Sequence, residues 1–281
     1  MLTVAVSAVA CAQAAPQLGS DSGFAAPIGS SSLPASSLPA SPLVAYQPAP
    51  ATPKPSASKS SAVKAPPSAQ PTTKKPATPS NLASSLKKLP SSTRQVVIVH
   101  AAASSDTHAT LETYVKTSTG WHPEFGTMAA RVGKDGMSTD HVEGTPNTPE
   151  GMFAFGPTMY GVNADPGVKY AYHNLVTDDW WNEEPSTAGY NTFEHVSTDP
   201  GGASEALWKE TVDYQYFAFI EYNVPAVGNR GSGVFLHVAT SNATAGCVSL
   251  PKADLVKVLT WLDPKDNPRI VISTDANLHL Y

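Results

Sequence analysis

The chain has 281 residues, 41% of them apolar, and a formal net charge of −5. That charge is the sum of two opposite halves: residues 1–93 carry seven lysines against Asp21 alone, and the remainder carries 22 acids against 11 lysines and arginines. An acidic body excludes the basic face that nucleic-acid binding needs, and no apolar run approaches the ~18 residues of a membrane-spanning helix.

The first 14 residues are small and apolar, and Ala12-Gln13-Ala14 has the form of an A-x-A cleavage site. A leader over 1–14 and export of the mature chain are therefore expected, although the usual cationic start is missing. Ala8-Val9-Ala10-Cys11 is a poor lipidation box, because Ala stands where an apolar Leu is wanted. Residues 15–93 belong to a Pro-, Ser-, Ala- and Lys-rich stretch; residues 1–93 together hold 15 of the 26 prolines but, of the 23 aromatics, only Phe24 and Tyr46. Such a linker has too little apolar bulk to offset the entropy of ordering it, so 15–93 is expected to be disordered. Residues 94–281 then form one folded domain.

In that domain Gln95–Val99 reads as a short buried strand, and Thr110–Thr117 alternates apolar and polar as a half-buried one. Trp121 and Ala129–Val132 continue the pattern around glycine turns. Tyr214–Tyr222 and Gly233–Val238 alternate again. Pro251 suits the first turn of a helix running to about Leu262, with Leu255, Val258, Leu259 and Leu262 on one face, stopped by Asp263-Pro264. Arg269–Ser273 closes the chain as a strand. A mainly β domain with one substantial helix near its end is predicted, with no internal repeat.

Between the Gly233–Val238 strand and the helix lies the chemistry. His237 stands ten positions before Cys247, the only cysteine left if the leader is removed. A lone thiol outside the cell calls for a chemical explanation, the alternatives being a buried structural cysteine or a Cys11–Cys247 disulfide in an unprocessed chain. A thiol attacks as thiolate, which a nearby imidazole can hold. Gly246 lets the backbone turn tightly, and its N–H with that of Cys247 is a candidate oxyanion donor pair.

The stretch Gly233–Leu250, with Thr244-Ala245-Gly246-Cys247-Val248 at its centre, resembles the active-site motif of the L,D-transpeptidases (YkuD-like domain). The resemblance extends to Gly133-Lys-Asp-Gly136, to Glu143–Phe153, to Asp179-Trp-Trp181 with Tyr190-Asn191, and to Tyr222-Asn223, and so covers roughly residues 95–273. It implies a β-sandwich of mixed strands with one substantial helix after the cysteine. It also implies an enzyme acting on peptidoglycan stem peptides in the cell wall or a periplasm-like space. Cys247 is then the nucleophile attacking the carbonyl of stem residue three, and His237 its base, held by a backbone carbonyl such as that of Val238. Terminal D-Ala leaves, and a second stem's amine resolves the acyl-enzyme to a 3→3 cross-link. Acylation by carbapenems is expected on the same grounds.

Tyr222 and Asn223 take positions that face the cleft in the family; a strand-end tyrosine shielding the core is the other reading. Trp180, Trp181 and Tyr190 form either an aromatic wall for the peptide or part of the core, and Thr244 supports the turn. Two positions depart from the family pattern. Ala245 replaces a second His, and Ser249 stands where an Arg near the cysteine is frequent, which removes an obvious partner for a substrate carboxylate. Water as acceptor (an L,D-carboxypeptidase) and a non-catalytic wall-binding module are the competing functions. The other histidines, His100, His108, His122, His141, His173, His195 and His279, lack metal-ligand spacing. No metal or cofactor is expected, a monomer is, and the tail lysines either solvate the linker or touch anionic wall polymers.

Overall fold

The computed structural model describes residues 81–281. The expected leader, Cys11 and the linker as far as residue 80 lie outside the described residues. The described chain runs through α1 (Leu82–Ser85), β1 (Gln95–Ala101), β2 (His108–Thr117), β3 (Gly120–Pro123), β4 (Met128–Arg131), β5 (Met137–Ser138), β6 (Thr148–Pro149), β7 (Gly151–Phe153) and β8 (Phe155–Gly161). It continues through β9 (Ala171–Asn174), β10 (Asp179–Asn182), β11 (Thr192–His195), β12 (Glu205–Ala206), β13 (Phe217–Ile220), β14 (Phe235–Val238), β15 (Val248–Leu250), α2 (Lys252–Trp261) and β16 (Arg269–Thr274).

The main sheet has the order β7-β16-β1-β2-β4-β15-β14-β13-β8-β9, with β3 added on β2, while β10 lies between β11 and β12 in a second sheet. Parallel pairs (β1 with β16, β14 with β15, β8 with β9) are set among antiparallel ones. The domain is mainly β and its long sheet is mixed, as the family resemblance implies.

Val96, Val97, Ile98 and Val99 of β1 are all fully buried, because both faces of this strand are covered. Val97 and Val99 join Leu111, Ile270 and Ile272 in the main core, whereas Val96 and Ile98 meet Tyr114, Val271, Leu278 and Ala83 on the other side. The expected boundary at residue 94 is therefore too late. Ala83 is fully buried, Leu82, Leu86 and Leu89 pack on that second cluster, and Asn81 Nδ2 donates to the Trp121 carbonyl. Short leucines in a Ser- and Lys-rich context read as linker because what they cover, β1, comes later in the chain.

The helix forms where the apolar spacing places it, with Pro251 at the N-cap, and Leu255, Val258 and Leu259 have no exposed surface. Each such side chain contributes about 1.5–3 kcal/mol of burial. The strand expected over Tyr214–Tyr222 shortens to Phe217–Ile220. Asp213–Gln215 forms a 3-10 turn instead, and Tyr214 is buried with its hydroxyl donating to Glu205.

The two strands that carry the candidate site divide their side chains cleanly. Leu236, Val238, Val248 and Leu250 enter the main core with α2. The opposite face of β14 and β15 carries Phe235, His237 and Ser249. Phe235 and Cys247, one residue before β15, pack there with Trp181, Leu207, Tyr214, Phe217 and Phe219.

Candidate active site

His237 is 3% exposed and sits in the middle of β14. Its Nδ1 lies 2.8 Å from the carbonyl oxygen of Val238. A carbonyl only accepts, so Nδ1 carries the proton and Nε2 presents its lone pair. Nε2 is buried and has no hydrogen-bond partner among the described residues. Burial pushes the pKa of this imidazole down from 6.5 to about 4, opposed only in part by the Val238 bond. The folded state thus binds the proton less well than the unfolded chain. Stability from the neutral ring is complete above pH 6.5 and is lost as pH falls towards 4, about 3 kcal/mol in all. Burial thus favours the neutral ring over the imidazolium.

β14 and β15 run parallel with Leu236 opposite Val248 and His237 opposite Ser249. Cys247 therefore sits on the neighbouring strand, on the same face as His237 and two residues back along it, a diagonal of roughly 7 Å between Cβ atoms. The Phe235 N–H donates to Sγ at 3.1 Å, and the Gly233 carbonyl lies 3.3 Å from it. Nucleophilic chemistry belongs to the free thiol of Cys247, in its reduced form.

The turn before the cysteine is built by two threonines. Thr244 Oγ1 donates to the Cys247 carbonyl at 2.6 Å and accepts the Gly246 N–H at 3.3 Å. Gly246 has φ 154°, a backbone that side chains disfavour. Its N–H is donated to Thr244 within the turn. Thr148, to which sequence reasoning gave no role, donates to the same carbonyl at 3.1 Å and accepts the Gly133 N–H at 2.8 Å. A side chain at Gly133 would collide with Pro146 O and Thr148 N, which explains a glycine at that close approach. The signal for Thr148 was present in Thr148-Pro149-Glu150-Gly151, within the stretch that carries the resemblance.

A family model described as the L,D-transpeptidase catalytic domain, YkuD, matches residues 101–272, more than half of the chain. The chain belongs to this family. The family's enzymes are cysteine-dependent acyl-transfer enzymes of the cell wall that act on peptidoglycan stem peptides. Comparison with curated proteins and with solved structures gave no match. No helix among the described residues is long and apolar enough to cross a membrane, and no group of three or more His, Cys, Asp or Glu among them is arranged to hold a metal ion.

The remaining candidate substrate residues of this L,D-transpeptidase domain turn inward. Trp180 donates to the Val196 carbonyl and meets Trp208 edge-on. Trp181 is 3% exposed, packs on Phe219 and Phe235, and donates to Asn191 Oδ1 at 3.1 Å. That oxygen also accepts the Gly233 N–H at 3.1 Å. Trp181 and Asn191 thus hold the segment whose carbonyl faces Cys247, from behind. The Tyr222 hydroxyl is shared between the carbonyls of Arg230 (2.6 Å) and His141 (3.1 Å), and Asn223 bonds Val227 and Gly231. Both fasten the Gly228–Gly233 loop. Tyr190 is 1% exposed and donates to Glu143, which also accepts the Ser232 hydroxyl. In this chain these side chains fix the loop that precedes β14.

A second buried layer lies behind the pair and had no sequence signal. Tyr214 meets His237 edge-on at 5.8 Å. Glu183 is 1% exposed, and its Oε1 lies so close to Gly233 that a Cβ there would be 1.9 Å away. Burial first, then the charges of Glu205 and Glu143, hold the Glu183 carboxyl well above the usual carboxylate range. His195 and His173 both hydrogen-bond buried Asp179 (2.7 and 2.8 Å), which ties the second sheet to β9.

Proposed function

We propose that reduced Cys247 is acylated by the third residue of a peptidoglycan tetrapeptide stem and passes it to the amine of a second stem, forming a 3→3 cross-link. His237 Nε2 takes the thiol proton as sulfur attacks the carbonyl. The C–N bond to D-Ala then breaks, and the same proton goes to the leaving amine. The Cys247 N–H faces the developing oxyanion. An entering amine reverses the sequence: it attacks the thioester, His237 takes its proton, and the thiol is restored.

The observation that carries this reading is the neutral, buried His237, with Nδ1 tied to Val238 and Nε2 unpaired on the face it shares with Cys247. Transfer requires that an amine reach the thioester before water does. Reduced full-length protein incubated with disaccharide tetrapeptide is expected to yield a cross-linked dimer lacking one D-Ala, with some tripeptide. Tripeptide alone under excess acceptor would make the enzyme an L,D-carboxypeptidase. Absence of either product, with a Cys247 no more reactive than a free thiol, would favour a wall-binding module.

A further inference from the structure

Seven buried side-chain atoms among the described residues lack a hydrogen-bond partner, and three of them, His237 Nε2, Ser249 Oγ and Arg131 Nε, fall in one line across the sheet. His237 on β14 is registered with Ser249 on β15, and Ser249 with Arg131 on β4. Registered partners point to the same face. The line continues to His108 on β2, whose Nε2 contacts Arg131 Nη1, and in the other direction to Phe217 and Tyr160, which stack with ring centroids 5.2 Å apart. One side of His237 is therefore aromatic and closed; the other is a hydroxyl followed by a guanidinium. Buried polar atoms are normally paired; with Nε2 given to the Cys247 thiol, the two further orphans in its row, Ser249 Oγ and Arg131 Nε, point to a partner that is not protein.

Resting on the acyl-transfer reading above, the geometry points to Arg131, with Ser249, as the anchor for the terminal carboxylate of the donor peptide. A guanidinium matches a carboxylate with two parallel hydrogen bonds, and the serine hydroxyl adds a third donor. The reach is right. His237 protonates the nitrogen of the leaving residue, and the carboxylate of that residue is only two bonds further along. Arg131 stands two strand spacings from His237, roughly 10 Å between Cα atoms, a gap that its long side chain and the leaving residue together span. A cavity of about 250 Å³ opens at the Arg131 end, lined by His108, Ala129, Arg131, Ala239, Thr240 and Pro251, small enough walls for a methyl side chain. The absence of arginine at position 249 is made good from the neighbouring strand.

The test separates binding from turnover. Full-length Cys247→Ala protein would be titrated by calorimetry with a stem tetrapeptide bearing a free terminal carboxylate and with its carboxamide. The acid is expected to bind at least about tenfold more tightly, and Arg131→Gln to bring that ratio close to one with the melting temperature unchanged. Arg131→Lys should restore part of the preference, since an ammonium keeps the charge but not the two-pronged geometry. Ser249→Ala should reduce it less than Arg131→Gln does. A preference that survives Arg131→Gln, equal binding of acid and amide to the parent, or no binding of either, would overturn the assignment. An intact Arg131-dependent preference in a protein that turns over no stem would leave the anchor standing and remove the transpeptidase reading instead.

Discussion

Replacing His237 by alanine should slow acylation of reduced Cys247 by ~10²–10⁴-fold, the usual contribution of a positioned general base. The pH profile should change with it. In the parent protein the base is the neutral ring, and burial keeps it neutral down to about pH 4. The acid limb of acylation is therefore expected near pH 4, well below the 6.5 of an ordinary histidine. Below that limb Nε2 carries a proton and the thiol has no acceptor. In His237→Ala the thiol must ionise unaided, so the rate should keep climbing with pH through the alkaline range. Carbapenem acylation of the reduced chain, followed by intact mass from pH 3.5 to 9, reads both effects. A parent limb near 6.5, or superimposable profiles, would show that His237 does not act as a neutral base.

Removing residues 81–91 should cost the domain roughly 6–12 °C of melting temperature. A chain beginning at Ser92 loses fully buried Ala83 and the half-buried Leu82, Leu86 and Leu89, which cover Val96 and Ile98 of β1. At about 1 kcal/mol for each partly buried leucine the loss is ~3 kcal/mol, and a domain of this size shifts by about 2–4 °C per kcal/mol. Differential scanning calorimetry of chains beginning at Asn81 and at Ser92 makes the comparison. Equal melting temperatures would return these residues to the linker.

The parts of this fold written in short-range pattern were legible in sequence. Helix α2 follows from apolar spacing and Pro251, the β14 strand from alternation, and the His237–Cys247 pair from its local motif. Contacts between distant segments were not legible. Thr148 reaches the Cys247 carbonyl across 99 positions of sequence, and Arg131 joins the row of His237 only through the β4–β15 register. Glu183 comes directly after β10, and nothing local says that its carboxyl will be buried against the Gly233 segment and feel the charges of Glu205 and Glu143. The internal hydrogen bonds of Trp181, Tyr190 and Tyr222 were hidden for a related reason. An aromatic residue at a motif position looks the same in sequence whether it faces a ligand or fixes the loop behind one. The break of the expected strand at Tyr214 has the same origin, since its partners Glu205 and His237 lie outside the alternating window.

The most direct measurement is the mass of the protein itself during turnover. Reduced full-length chain mixed with a stem tetrapeptide and quenched in acid should carry, on the peptide that contains Cys247, an adduct equal to the stem without its terminal D-Ala. Cys247→Ala should carry none. An adduct that retains all four residues, an adduct on another residue, or release of D-Ala by Cys247→Ala at the parent rate would contradict an acyl-enzyme at Cys247.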